Sequence, residues 1–151
     1  MKTALKILVQ LSRFGLAALF LFAAGAKLYF VRDTTTGLLV NLPALVGAKW
    51  ALPIFVTIIA AELLAVLLLL LPRTARWGGA WASLLLLAFA GYALFYVYVQ
   101  HGEPLECGCF GGIIASQLGV ATARRNLLLL IPAILVIIAP RLRANFTADS
   151  G

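Results

Sequence analysis

The sequence predicts an all-α membrane protein: a four-transmembrane-helix bundle with an extracytoplasmic cysteine loop, forming a single membrane domain over residues 1–151. Three observations carry this expectation. Hydrophobic residues make up 64% of the chain and charged residues only 11%, against about 45–50% and about 25% in soluble proteins. The apolar residues gather into four runs of spanning length, separated by short polar breaks. Both cysteines, Cys107 and Cys109, lie in one of those breaks, between Glu106 and Phe110-Gly111-Gly112.

The first helix is expected over residues 7–31. Its core, Phe14 to Ala26, is short and ends on Ala24-Gly25-Ala26, so a cleaved secretory signal peptide competes for the segment. Apolar character resumes through Leu28 to Val31, and about 25 residues make roughly 37 Å of helix, enough to span with tilt. An uncleaved helix is the favoured reading. Arg32 to Gly37 is a polar loop, and residues 38–52, broken by Pro43 and Gly47, are too short to span. They form an interfacial or re-entrant segment that helps roof the bundle.

The second helix covers residues 53–71, with Pro53 in its first turn and Pro72 just past its end. Arg73 to Arg76 is a tight basic turn. The third helix, residues 77–99, holds no charge and opens with Trp77 and Trp81, placed as interface anchors. Residues 101–119 form the cysteine loop. The fourth helix covers 121–139, with Arg124 and Arg125 in its first turns, and residues 141–151 are a polar tail.

The net charge of +7 would suggest nucleic acid in a soluble chain, but the basic residues sit at helix ends, so nucleic acid is set aside. Lys2, Lys6, Arg13, Arg73, Arg76, Arg141 and Arg143 gather on one side; Lys27, Arg32, Lys49, Arg124 and Arg125 gather on the other. The first set is larger, and Lys27 lies within a helix rather than in a loop. The positive-inside rule therefore puts both termini in the cytoplasm of a multi-pass bacterial inner-membrane protein. The cysteine loop then faces the oxidising periplasm.

Two thiols one residue apart can close a disulfide only through a sharp bend, since bonded Cα atoms stand roughly 4.4–6.8 Å apart. Gly108 between them allows it. A ring this small closes almost no loop, and a strained, exposed disulfide is oxidising, so the pair suits exchange better than stapling. Inert packing of two thiols is one competitor. A copper or zinc site using His101 is another, although no fourth ligand accompanies it.

Ionisable residues inside a membrane are functional candidates. Glu62 lies roughly 13 Å below the outer surface by helical rise, and Lys27 lies near the outer end of the first helix. Side chains tilt toward their helix N-terminus. In antiparallel neighbours, Lys27 and Glu62 therefore lean toward one another. A proton relay or polar cavity and a simple packing ion pair both account for them. Tyr92, Phe95, Tyr96 and Val99 share one face of the third helix. That face suits either a pocket for a membrane quinone or an aromatic interface belt, and the belt is favoured. Arg124 and Arg125 anchor headgroups unless one of them faces inward.

These residues resemble the MauE family, the methylamine utilisation proteins, within the DoxX-like group. The likeness covers roughly residues 8–140 and rests on Gly25-Ala26-Lys27-Leu28, Glu62, His101-Gly102, Cys107-Gly108-Cys109-Phe110-Gly111 and Arg125-Asn126. It implies a part in disulfide formation and maturation of a periplasmic client such as methylamine dehydrogenase. Cys107 and Cys109 would be the exchanging pair, and Lys27, Glu62 and Arg125 the polar interior. The chain also resembles, more distantly, the vitamin K epoxide reductase architecture, which uses two cysteine pairs and a quinone. With one pair here, reoxidation would need direct transfer to quinone or a soluble thioredoxin-like partner. The competing functions are a non-enzymatic DoxX-like subunit or scaffold of a quinone-linked complex, and a copper- or zinc-binding membrane protein.

Overall fold

The computed structural model describes residues 2–29, 47–99 and 120–148. They form four helices, α1 (Lys2–Tyr29), α2 (Ala48–Leu70), α3 (Ala75–Tyr98) and α4 (Val120–Ala148). Each contains a stretch long and apolar enough to cross a membrane. The expected all-α, four-spanning architecture is present. The loop at 30–46 and the cysteine loop at 101–119 lie outside the described residues.

Two boundaries differ from expectation in an instructive way. α2 begins at Ala48 rather than near Pro53, so residues 48–52 belong to a spanning helix and not to an interfacial segment. Gly47 sets that start. Its φ of 83° lies in the left-handed region that L side chains rarely adopt, and its carbonyl accepts the Trp50 amide at 3.1 Å. Pro53 then falls inside the helix, where it removes one backbone bond without ending α2. The added turn is anchored by Ala51, which packs in a buried cluster with Ala24, Phe55 and Ile59.

The second difference is α4, which continues to Ala148 through most of the expected polar tail. Arg141, Leu142, Arg143 and Ala144 are all good helix formers, so helical structure outlasts the apolar run.

The helices close a ring: α1 packs on α2 and α4, and α3 packs on α2 and α4. Sequential neighbours are antiparallel. Arg13 meets Leu70 while Lys27 meets Glu62, and Gly79 meets Ala133 while Ala93 clusters with Ala123. One end of the bundle therefore carries the tight α2–α3 turn. The other end receives both long connections, and we call these the turn end and the loop end. The main core lies toward the turn end and draws on every helix, including Leu16, Phe20, Leu69, Leu86 and Val136.

The last carbonyls of a helix have no intrahelical donors and need other partners. The end of α2 is accordingly well served. The Leu67 carbonyl accepts from the Leu71 amide at 3.2 Å, Leu68 from the Thr74 hydroxyl at 3.1 Å, and Leu70 from the Arg13 guanidinium at 3.1 Å. Arg13, expected as a cytoplasmic-side charge, lies within the α1 span, half-buried and over the Phe14 ring at 5.0 Å. It places a cation at the negative end of the α2 dipole.

Gly78 and Gly79 let α3 approach both neighbours closely. A Cβ on Gly78 would stand 2.7 Å from the α2 backbone at Leu68 and Leu69, and one on Gly79 would stand 3.0 Å from the Ala133 carbonyl oxygen. We expect Gly78→Ala to lower stability by about 1–3 kcal/mol, measured by thermal unfolding in detergent. Gly79→Ala should cost somewhat less, because part of what it meets is the Ile137 side chain. Gly25→Ala, with nothing within 4 Å of its Cβ, should leave the melting temperature unchanged or slightly raised.

Candidate functional site

Among the described residues, four polar or charged side chains are buried: Lys27 on α1, Glu62 on α2, and Thr122 and Asn126 on α4. They occupy the bundle from its middle to the loop end. Beneath them the core is apolar, with Ala65 and Val66 one turn past Glu62. The polar layer thus has an apolar floor and lies toward the loop end.

Lys27 stands in the last turn of α1 and Glu62 near the middle of α2. The opposed tilt of their side chains closes the distance, and Lys27 Nζ donates to Glu62 Oε1 at 2.7 Å. The two side chains are only 2% and 1% exposed. The pair expected from the sequence is present. A second contact steadies the cation, since Lys27 Nζ lies 5.7 Å from the centre of the Phe89 ring on α3, within cation–π range. The other carboxylate oxygen, Glu62 Oε2, is buried and has no hydrogen-bond partner among the described residues.

The turn that carries Glu62 is tied to α3. The Trp81 indole N–H donates to the Ala61 carbonyl at 3.0 Å. Trp81 was expected as an interface anchor beside Trp77, but only Trp77 faces outward, at 73% exposure. The physical reason is register. In an antiparallel α2–α3 pair joined by a tight turn, Trp81 comes level with Ala61 and finds an acceptor there.

On α4, Thr122 and Asn126 are one turn apart and point the same way, into the bundle. The α3–α4 register brings Asn126 to within about one helical turn of the level of Phe89. Arg125 is half-buried and Arg124 exposed, so Arg125 is the more inward of the two. Tyr92 is half-buried and packs against the cluster of Ala90, Ala93 and Ala123. Phe95 and Val99 are 46% and 62% exposed. The Tyr96 side chain lies outside the described residues, as do Cys107, Cys109 and His101. Among the described side chains of that face, Phe95 and Val99 turn outward and Tyr92 inward.

Sequence reasoning passed over Thr122, Phe89 and the inward role of Trp81. The spacing of Thr122 and Asn126, four residues apart in a membrane helix, was a usable signal. Phe89 and Trp81 carry no such mark, because their roles depend on which helix lies opposite.

Chemically, the site is a neutral charge pair in apolar surroundings, with one open acceptor oxygen, one cation held from two sides, and a hydroxyl and an amide nearby. The family model for methylamine utilisation protein MauE matches residues 5–139. No curated protein and no solved structure matches.

Removing one member of a buried ion pair leaves an uncompensated charge, a loss of about 3–5 kcal/mol, whereas replacing both by apolar residues is often nearly neutral. We expect Lys27→Met and Glu62→Leu each to destabilise the bundle by that amount in detergent unfolding. The double variant should recover most of the loss. Trp81→Phe keeps the ring and removes the donor, and should cost about 0.5–1.5 kcal/mol by the same measurement.

Proposed function

The chain belongs to the MauE family of methylamine utilisation proteins, and from that premise we propose that it is an integral membrane thiol–disulfide accessory protein. In this role it supports disulfide formation in a periplasmic client, with methylamine dehydrogenase as the client the family suggests. Cys107 and Cys109 are the exchanging pair, and Lys27, Glu62 and Arg125 form the polar interior beneath them. The protein resides in the bacterial inner membrane, with the turn end and both termini cytoplasmic and the cysteine segment periplasmic.

One observation does most to support this. α3 ends at Tyr98 and α4 begins at Val120, so the segment bearing both cysteines is tethered on either side to the loop end. That is the end at which Lys27 sits, above the buried polar layer. The bundle thus joins its only two thiols to its only described buried charges. Orientation is supported by exposed Lys6, Arg73 and Arg76 at the turn end, as the positive-inside rule requires of a cytoplasmic face.

In the forward step a client thiolate attacks one sulfur of the Cys107–Cys109 disulfide, forming a mixed disulfide and releasing the other thiolate. A second client thiolate then resolves it, leaving an oxidised client and a reduced pair. Restoring the pair requires an acceptor for two electrons. A membrane quinone, reduced to quinol with two protons, and an oxidised thioredoxin-like protein are the two acceptor classes that fit.

Thiol trapping in intact cells should find Cys107 and Cys109 oxidised at steady state, and reduced when quinone turnover is blocked if quinone is the acceptor. The Cys107→Ser/Cys109→Ser variant should abolish client maturation while the protein remains in the membrane. Full maturation in that variant would replace the redox role with a non-enzymatic scaffold.

A further inference from the structure

We infer that Glu62 is a proton-binding site, exchanging protons only with the loop end of the bundle and keeping Lys27 charged when it does so. The proposal starts from an imbalance within the ion pair. A buried pair offsets its desolvation only when the remaining lone pairs are also taken. Here Lys27 has two separate supports, Glu62 Oε1 at 2.7 Å and the Phe89 ring at 5.7 Å. Glu62 has one, and its Oε2 is buried without a partner among the described residues. A pair serving packing alone has no use for an open acceptor beside an apolar core, since each buried unsatisfied polar atom is unfavourable. A proton on Oε2 turns that orphan acceptor into a hydroxyl, while Oε1 still accepts from Lys27 Nζ and the Phe89 ring still faces the lysine cation.

The groups facing the site set the same direction. Lys27 faces Glu62 from α1. α3 presents Phe89 and, nearer the loop end, Tyr92; it has no charged side chain beyond Arg76 in its first turn. α4 presents Thr122 and Asn126, with Arg125 half-buried beside them. α2 itself adds no second charge inside its span beyond Lys49 at the loop end. Glu62 is therefore the single carboxylate of the described layer, and its neighbours are cations or neutral donors. A proton lost from this layer must come from Glu62 or from a cation beside it.

Access is one-sided for a plain reason. Toward the turn end the next interior residues are Ala65, Val66, Leu69, Phe20, Leu86 and Val136, all apolar and buried. No polar side chain bridges that floor among the described residues. Toward the loop end the buried side chains include the polar Lys27, Thr122 and Asn126. The site fills and empties from one side of the membrane and is not a through-channel.

The test uses the full chain reconstituted in liposomes and followed by infrared spectroscopy while pH is varied. The difference between the native and Glu62→Gln spectra should contain one carbonyl stretch of a protonated carboxylic acid that appears reversibly as pH falls, over and above the bands of the other four Asp and Glu residues. It should shift in frequency in Glu62→Asp, which retains a carboxyl if Gln disturbs folding. The band should persist in Cys107→Ser/Cys109→Ser, which separates this site from the thiol chemistry proposed above. Absence of a titrating band, its persistence in Glu62→Gln, an unshifted band in Glu62→Asp, or its loss in the cysteine variant would each overturn the proposal.

Discussion

A bilayer offers no water to a buried charge, and the rest of this bundle follows from how it meets that constraint. Lys27 and Glu62 each lie inside a spanning helix, where one ionised side chain costs about 2.5–3.5 kcal/mol even by insertion scales. Together, at 2.7 Å, they form a neutral unit. Their meeting requires α1 and α2 to be adjacent, antiparallel and in one register, so the pair specifies the first half of the bundle more sharply than apolar packing does. Leucines packed on leucines would tolerate a slip of one turn. A buried salt bridge does not, which is the registry role best attested for such groups.

The backbone at the helix ends needs partners too. α2 ends in a turn of four residues, and three carbonyls there are taken by an amide, a hydroxyl and the Arg13 guanidinium from α1. Trp81 does the corresponding work higher up, joining α3 to the turn that carries Glu62. The Arg13–Leu70 and Trp81–Ala61 contacts run between helices, so they add to association as well as satisfying polar atoms. Gly78 and Gly79 supply the complementary device. They remove side chains where α3 must approach two backbones at once, the close contact that small residues provide in membrane proteins.

Much of the fold was legible because hydropathy is a strong signal in a chain that is 64% hydrophobic. The four helices and the Lys27–Glu62 pair both follow from where charge is allowed. What stayed hidden depended on partners or on backbone conformation. Gly47 starts α2 through a positive φ, yet in the sequence Pro53 is the more conspicuous helix-start signal. Trp81 looks like an interface residue because tryptophan usually is. Only the facing carbonyl of Ala61 turns it inward, and sequence order does not disclose that. The extension of α4 to Ala148 was missed for the converse reason: hydropathy reports burial in lipid, and a helix can continue into water on propensity alone.

The polar groups are not spread evenly through the bundle, and that unevenness bears on what the polar layer is for. If Lys27 and Glu62 existed only to fix helix order, they could sit anywhere along the α1–α2 contact, and a mid-bundle position flanked by leucine would serve best. Instead, Lys27 lies within one turn of the end of α1, and Thr122 and Asn126 lie in the first two turns of α4. Every described buried polar residue other than Glu62 thus lies near the helix ends that the two long connections join, one of which contains Cys107 and Cys109. Glu62 reaches up toward this group from the apolar floor. A packing device accounts for the pair but leaves Thr122, Asn126 and the open carboxylate oxygen without a purpose. The role proposed for the loop end accounts for all of them together, and among the described residues the opposite half of the core holds no fully buried polar side chain.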